Sequence, residues 1–118
     1  MTKILIVDDD DVICTLLSDY LIANEFEVQI ADSATTAIND IDISLPNLIL
    51  ADFQMPDMNG ADLLQAIHSK YQDLPVILMS GNSDTQSIVE GKNLKADGYI
   101  QKPFSPKEVL ELVRNIVK

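Results

Sequence analysis

Short apolar runs recur along the chain, and each is typical of a strand that a sheet buries on both faces. They are rich in leucine and β-branched residues, and they occupy positions 4–7, 28–31, 48–51, 76–79 and 98–100. Runs of this length fit strands better than helices. We therefore predict five strands.

Between these runs, apolar residues recur at intervals of three and four, which is the spacing of one face of a helix. The first predicted helix has its apolar face at Ile13, Leu16, Leu17, Tyr20 and Leu21. The second has Ala34, Ala37, Ile38 and Ile41 after the N-cap Ser33, the third has Leu63, Leu64, Ile67 and Tyr71 after Gly60, and a weaker fourth covers about 84–93. Four helices thus separate the five strands.

The last helix has the clearest start. Ser105 is a good N-cap, Pro106 suits the first helical position, and Glu108 completes a capping box. Its predicted buried residues are Val109, Leu112, Val113 and Ile116. Five strands alternating with five helices predict the α/β class, with a parallel sheet, helices on both of its faces and right-handed crossovers. We expect residues 1–118 to form a single domain.

The charge is strongly acidic and unevenly distributed. The apolar share is 47% and the net charge is −11; residues 1–62 hold one lysine and 13 acids. This balance argues against direct nucleic-acid binding, which needs a basic surface. Cys14 is the only cysteine, so no internal disulfide forms. Because no apolar run has the length of a signal peptide or a membrane span, we expect a cytoplasmic protein that does not bind membranes.

Polar side chains lie at the ends of four of the predicted strands: Asp8 and Asp9, Asp52, Ser80 and Lys102. In a parallel sheet the carboxyl ends of the strands lie at one edge, where ligand sites form. We therefore expect three carboxylates, a hydroxyl and an ammonium group to share one crevice.

The energetics of that crevice favour a divalent cation. Two carboxylates about 5 Å apart repel by roughly 3 kcal/mol at an effective dielectric near 20, and three such pairs cost on the order of 10 kcal/mol. One lysine does not offset that cost. Magnesium prefers oxygen ligands and commonly takes one or two carboxylates together with a phosphate oxygen. A carboxylate beside Mg²⁺, a lysine and a hydroxyl can form an aspartyl phosphate.

At this point the chain resembles the receiver domain of bacterial two-component response regulators, over essentially all of its length. The resemblance rests on separated motifs in the right order. They are the acid pair Asp8-Asp9, Asp52 followed by Met55-Pro56 and Gly60, Ser80, Tyr99, and Lys102-Pro103-Phe104. It implies the three-layer flavodoxin-like or CheY-like fold with strand order 2-1-3-4-5.

The resemblance also implies a role for each residue of the crevice. Asp52 is expected to accept a phosphoryl group from a phosphohistidine, and Lys102 to pair with Asp52 and then with its phosphate. Asp9, Asp52 and the backbone carbonyl of Gln54 would ligate Mg²⁺, with Mn²⁺ as a candidate substitute, and Asp8 would act through a metal-bound water. The bond between Lys102 and Pro103 is expected to be cis, which is accessible because proline follows.

The same resemblance implies a signalling switch that turns over no separate substrate. Ser80 is expected to hydrogen-bond the phosphoryl group, and Tyr99 then to rotate inward and remodel the fourth helix, fifth strand and fifth helix. Side chains at Gln54 and Asn82 would tune the lifetime of the phosphate. The implied partners are a sensor histidine kinase or histidine phosphotransfer protein and an output protein or domain, and the remodelled face is a candidate for dimerisation. The sequence fits a free-standing receiver as well as part of a longer regulator.

Three further residues have simpler interpretations, and a fourth is left open. We expect Asp11 to cap the first helix, since carboxylates there meet free N–H groups and the helix dipole; the role of Asp10 stays open. We expect His68 to be structural or on the surface, because it is remote in sequence from every strand end. Cys14 is expected to be a packing residue rather than a reactive thiol.

A different function class competes for the first acidic motif. Asp8-x-Asp10-x-Val12 after an apolar strand is also similar to the first motif of haloacid-dehalogenase-type Mg²⁺-dependent phosphatases, with Asp8 as nucleophile, Asp10 as acid and base, and Ser80 as the second motif. The chain lacks the later paired-acid motif of those enzymes and is short for their fold.

Overall fold

The computed structural model describes residues 1–117 and contains one parallel sheet of five strands in the order β2-β1-β3-β4-β5. The strands are β1 Lys3–Val7, β2 Glu27–Ala31, β3 Leu48–Asp52, β4 Val76–Ser80 and β5 Gly98–Gln101. The helices between and after them are α1 Asp11–Ala23, α2 Ala34–Ile43, α3 Gly60–Lys70, α4 Thr85–Gly91 and α5 Pro106–Ile116. The predicted strands, strand order and alternation with helices are all confirmed, and each strand is one residue longer than predicted.

The sheet divides the core into two apolar clusters, one on each face. Alternate residues of a strand point to opposite faces, so Leu5 and Val7 pack with α2, α3 and α4, whereas Ile4 and Ile6 pack with α1 and α5. Strands β1, β3 and β4 are almost completely buried. The result is the predicted three-layer arrangement. None of the helices within residues 1–117 has the length and apolar character needed to cross a membrane.

The start of α1 differs from the prediction by one residue. The Asp10 carboxylate, not that of Asp11, accepts hydrogen bonds from the backbone N–H groups of Val12 and Ile13, at 3.0 and 3.3 Å. The Asp10 N–H donates to Asp8 Oδ1 at 2.9 Å, and this bond holds Asp10 in the extended conformation that an N-cap requires. Asp11 is the first helical residue, so predicting it as the cap was wrong.

Two helix faces are also rotated from the predicted ones. On α1, Leu16 is 51% exposed, and the buried residues are Cys14, Leu17 and Leu21. On α5, Leu110 is buried, whereas Leu112 and Ile116 are only partly buried against the core. A helix can turn slightly on the sheet, so a spacing of three and four residues predicts the position of its apolar face only to within about one residue.

The start of α5 is largely as predicted, whereas α4 is shorter. The Ser105 hydroxyl accepts from the Glu108 N–H at 3.2 Å, and Pro106 is the first helical residue. The reciprocal bond from the Ser105 N–H to the Glu108 carboxylate, which would complete the capping box, is absent among the hydrogen bonds within residues 1–117. Helix α4 spans only Thr85–Gly91.

Gly60 begins α3 where the chain passes very close to β3 and β4. A Cβ atom there would lie 2.9 Å from the Phe53 Cα and 3.1 Å from a Leu78 methyl carbon. We expect Gly60→Ala to lower the free energy of unfolding by about 1–3 kcal/mol, because the backbone would have to shift. Urea denaturation measures this loss.

Gly91, the last residue of α4, supplies the matched control for that substitution. No atom would lie within 4 Å of a Cβ there, so Gly91→Ala is expected to be neutral or slightly stabilising. Equal unfolding midpoints for Gly60→Ala and the wild-type protein would contradict the packing argument.

Candidate functional site

The carboxyl ends of β1 and β3 bring together three carboxylates. One oxygen from each of Asp8, Asp9 and Asp52 lies within 4.8 Å of the others. Asp8 and Asp52 are buried, whereas Asp9 is exposed. The sequence therefore predicted the acidic members of the crevice correctly, and β1 and β3 are neighbours in the sheet as that proximity requires.

Asp8 is the most deeply enclosed of the three, with 1% of its surface exposed. Burial raises the pKa of its carboxyl group above the ordinary value, and the nearby Asp52 raises it further; the Asp10 N–H and Lys102 oppose this rise. A carboxylate with a raised pKa is destabilised in its charged form. A cation beside Asp8 would stabilise that charged form.

Lys102 reaches the cluster from the end of β5. Its ammonium nitrogen lies 3.3 Å from Asp52 Oδ2 and 3.5 Å from Asp8 Oδ2. The peptide bond to Pro103 is cis, as predicted. The Lys102 N–H donates to the Ser80 carbonyl at 2.7 Å, which joins the ends of β4 and β5. One ammonium group thus serves two carboxylates.

Ser80 lies at the end of β4, and 5% of its surface is exposed. Its hydroxyl accepts from the Asn82 N–H at 3.0 Å and lies 2.7 Å from the hydroxyl oxygen of Thr85. The Asn82 side chain is exposed, and its amide oxygen accepts from the Asp84 N–H at 2.8 Å. In this structure the Ser80 hydroxyl is therefore engaged with the loop that leads into α4.

The loop between β3 and α3 carries Gln54, whose backbone N–H lies 3.4 Å from Asp52 Oδ1 and whose side chain is exposed. Gln54 also forms an isolated antiparallel bridge with Asn59. Asn59 caps α3 by accepting from the Asp62 N–H. This compact loop fixes the position of the Gln54 carbonyl, which follows Asp52 by two residues.

Asp57 anchors the same loop to α2, and sequence reasoning missed it. Its carboxylate accepts from the Ala34 N–H at 3.2 Å, the Thr35 N–H at 2.8 Å and the Thr35 hydroxyl at 2.6 Å. Ser33 satisfies a third free N–H of α2, that of Thr36. These bonds, that to the Thr35 hydroxyl foremost, lower the pKa of Asp57 to about 2. Asp57 thus caps a helix distant in sequence.

We expect Asp57→Asn to lower the midpoint of urea unfolding at neutral pH. The folded-state pKa of Asp57 lies below its ordinary value of 3.8, so its charge stabilises the folded state above that pH and this contribution is lost as the pH falls toward 2. The difference between the two proteins should therefore begin to shrink below about pH 4. Unfolding midpoints measured from pH 7 to pH 3 test this.

Asp73→Asn is the matched control, since Asp73 is exposed in the loop before β4. It carries the same charge change and should leave the midpoint nearly unchanged. A constant difference between Asp57→Asn and wild type across the pH range would show that the anchor is not electrostatic.

Comparison with known proteins decides the family. A sequence model of the response regulator receiver domain matches residues 4–114. The chain belongs to the response regulator receiver domain family.

The receiver domain is 33% identical over 112 residues to the DNA-binding response regulator MtrA of Mycolicibacterium paratuberculosis, covering 95% of the chain and 49% of MtrA. It is 36% identical over 118 residues to the transcriptional regulatory protein CpxR of Escherichia coli, covering 100% of the chain and 50% of CpxR. The chain thus spans about half the length of these relatives.

A solved structure supports the same assignment. The CheY-like receiver domain protein of Methanospirillum hungatei superimposes with a TM-score of 0.92 and 33% identity, over 99% of this chain and 94% of that one. Receiver domains are phosphorylation-activated switches of two-component systems, so the resemblance inferred from the separated motifs is confirmed.

Tyr99 of the receiver domain lies on β5 beside a cavity of about 210 Å³ that Ser80, Thr85 and Gln86 also line. Its side chain is half-buried and packs against the core cluster on the α2, α3 and α4 side. Its hydroxyl accepts from the Ala96 N–H at 3.3 Å. The cavity leaves room next to the ring.

Cys14 and His68 lie outside the chemistry, in line with their predicted structural roles. Cys14 is buried and its thiol donates to the Asp8 carbonyl at 3.3 Å; burial and the neighbouring acids raise its pKa to about 11, which disfavours the reactive thiolate. His68 Nε2 lies 3.0 Å from the Leu74 carbonyl oxygen.

The phosphatase alternative finds no support in the comparisons, and the geometry of the receiver domain opposes it. That mechanism needs Asp10 as a free acid and base. Asp10 is instead held by two backbone N–H groups at the start of α1. Asp8, the nucleophile of that mechanism, is 1% exposed, whereas Asp52 is 9% exposed.

Proposed function

We propose that Asp52 is the phosphoacceptor of this receiver domain, and that a histidine kinase or histidine phosphotransfer protein supplies the phosphoryl group. The observation that carries the proposal is the grouping of Asp52 with two other carboxylates and with the Lys102 ammonium, which lies 3.3 Å from Asp52 Oδ2. Asp52 is the more accessible of the two buried carboxylates in the cluster. The domain catalyses only its own phosphorylation and dephosphorylation.

In the proposed transfer, an Asp52 carboxylate oxygen attacks the phosphorus atom of the phosphohistidine. The new P–O bond forms as the P–N bond breaks, and the imidazole nitrogen keeps the electron pair and takes up a proton. Lys102 would then contact a phosphoryl oxygen, because its ammonium already lies beside Asp52. Such transfer depends mainly on positioning and on stabilisation of the oxygens.

The donor set fits a magnesium ion. Asp9, Asp52 and the Gln54 carbonyl would hold it, and the enclosed Asp8 would act through a bound water; all are the hard oxygen ligands that Mg²⁺ prefers. Manganese has similar ligand preferences. Burial and the neighbouring Asp52 both raise the pKa of Asp8, so a cation beside it would stabilise its charged form. When bound, Mg²⁺ would supply positive charge against the carboxylates and the phosphoryl oxygens.

We propose that the phosphoryl group then recruits the Ser80 hydroxyl, which lies at the neighbouring strand end. Withdrawal of Ser80 from the loop before α4 would free space in the cavity beside Tyr99, and the Tyr99 ring would turn into it. The face made of α4, β5 and α5 would change shape as a result. A new charge-assisted bond biases the equilibrium between the two states.

An exposed apolar surface beside the crevice suits the phosphodonor protein. Ile13 and Leu16 of α1 form a shallow concavity with Lys102, Pro103 and Phe104. Apolar area rimmed by polar residues is typical of a protein-binding surface. A partner docked there would approach Asp52 past Lys102.

The output partner would read the remodelled face of α4, β5 and α5, through which dimerisation is also a candidate. MtrA is a DNA-binding response regulator and CpxR a transcriptional regulatory protein, and both are about twice as long as this chain. An output domain attached to the receiver, or a separate output protein, fits that relationship. The receiver itself is not expected to bind nucleic acid, because its net charge of −11 would be repelled by the phosphate backbone.

The experiment that tests the proposed function is intact-mass measurement after incubation with acetyl phosphate. A mass increase of one phosphoryl group should appear with Mg²⁺ and not in a chelator. Incorporation that is equally fast without a divalent cation would contradict the mechanism.

A further inference from the structure

Thr85 is a buried polar residue at the start of α4 that the proposed mechanism does not use. Its exposed fraction is 4%, and it lies on the same helix face as Val89, which is completely buried. A threonine in such a position loses the hydration of its hydroxyl, so its hydrogen-bond partners decide what it contributes.

The Thr85 hydroxyl oxygen has two polar neighbours. It lies 2.7 Å from the Ser80 hydroxyl oxygen and 3.0 Å from the Asn82 carbonyl oxygen. Ser80 in turn accepts from the Asn82 N–H at 3.0 Å. Three residues, Ser80, Asn82 and Thr85, therefore form a closed ring of three contacts.

The count of protons fixes the directions of these bonds. The Asn82 carbonyl can only accept, so the Thr85 proton must go to it if that contact is a hydrogen bond. Thr85 then has no proton left for Ser80, and the Ser80 hydroxyl donates to Thr85. With one proton to each bond, this is the arrangement that makes all three contacts hydrogen bonds, and it commits the only Ser80 proton to Thr85.

We propose that Thr85 is a positioning residue that holds the Ser80 hydroxyl in the unphosphorylated arrangement and thereby sets the balance of the switch. The inference rests on the proposed function, in which Ser80 donates its proton to a phosphoryl oxygen. Ser80 can do so only by breaking its bond to Thr85. The Thr85 bond to Asn82 can persist in both states, so the Ser80–Thr85 bond is the one that opposes activation.

Loss of the Thr85 hydroxyl should increase the affinity of the domain for a phosphoryl analogue. Beryllium fluoride binds carboxylates as a phosphoryl analogue, and its dissociation constant in saturating Mg²⁺ is measured by calorimetric titration. Thr85→Val keeps the shape of the side chain and removes the bond, so we expect binding about fivefold tighter than wild type, the worth of one ordinary hydrogen bond. Thr85→Ser keeps the hydroxyl and should bind like wild type.

Two controls separate this effect from packing. Ser83→Ala removes a neighbouring hydroxyl of the same loop that lines the cavity but lies outside the ring, and it should leave the dissociation constant unchanged. Mg²⁺ affinity without beryllium fluoride should be the same in all variants. Should Thr85→Val be too unstable to titrate, Thr85→Ala tests the same bond.

A double substitution distinguishes failure of this inference from failure of the proposed function. In a Ser80→Ala background, Thr85→Val should have no effect, because the group that Thr85 holds is gone. Unchanged or weaker binding by Thr85→Val in the wild-type background overturns the role of Thr85 alone. Wild-type affinity in Ser80→Ala, or binding by Asp52→Asn, overturns the proposed function on which it rests.

Discussion

Replacement of Asp52 by asparagine is expected to lower the rate of phosphoryl incorporation from acetyl phosphate by at least about two orders of magnitude. The amide has almost the shape of the carboxylate but is a very poor nucleophile. It also removes one of the two carboxylates that Lys102 contacts. Intact-mass measurement over time, in Mg²⁺, gives the rate directly.

The position of the label is as informative as its amount. Asp8→Asn and Asp9→Asn should slow incorporation without moving the label from Asp52, whereas Asp19→Asn, an exposed substitution on α1, should leave the rate unchanged. Peptide mapping locates the phosphoryl group. A label on Asp8 that persists in Asp52→Asn would falsify the assignment of the acceptor.

Magnesium is expected to raise the thermal stability of the receiver domain by a large amount. An ion that binds the folded state alone, at a hundred times its dissociation constant, adds about 2.7 kcal/mol, which corresponds to a rise in melting temperature of roughly 10 °C for a domain of this size. The three carboxylates of the crevice are its ligand candidates. Thermal unfolding followed by circular dichroism, with Mg²⁺ and with potassium at equal ionic strength, separates binding from screening.

Asp8→Asn should change the melting temperature in opposite directions without and with Mg²⁺. Because burial raises the pKa of Asp8, its charged form destabilises the metal-free protein near neutral pH, so Asp8→Asn should melt higher than wild type without Mg²⁺. The same variant, and Asp9→Asn, should lose most of the Mg²⁺-dependent rise. Asp19→Asn should keep it in full, and a full rise in Asp9→Asn would argue against this site.

The parts of the structure that the sequence predicts well are those set by local pattern. The strands are continuous apolar runs, and a polar residue directly after such a run must lie at the carboxyl edge of the sheet. The pattern therefore predicts that Asp52, Ser80 and Lys102 lie close together, whatever the conformation of the loops. The structural role of His68 follows from its distance in sequence from every strand end.

The parts that it predicts poorly depend on how loops lie on distant elements. Asp57 follows a proline and looks like an ordinary turn residue; its role exists only because α2 begins beside the loop after β3. Asp10 rather than Asp11 caps α1, in a conformation held by a bond from the Asp10 N–H to Asp8 that the sequence does not reveal. The burial of Thr85 could have been predicted from the sequence, because Thr85 lies four residues before Val89 and therefore on the same apolar face of α4.

The bridge between Lys102 and Asp8 joins residues 94 positions apart in the chain. The acidic half, residues 1–62 with a single lysine, is therefore assembled on the ribosome long before the ammonium group that belongs among its carboxylates. A partly folded chain with only the first three strands would hold the acids without the lysine or the hydroxyl. On the proposed mechanism, such a chain could not stabilise a phosphoryl group on Asp52, because Ser80 and Lys102 join the crevice only when β4 has paired with β3 and β5 with β4.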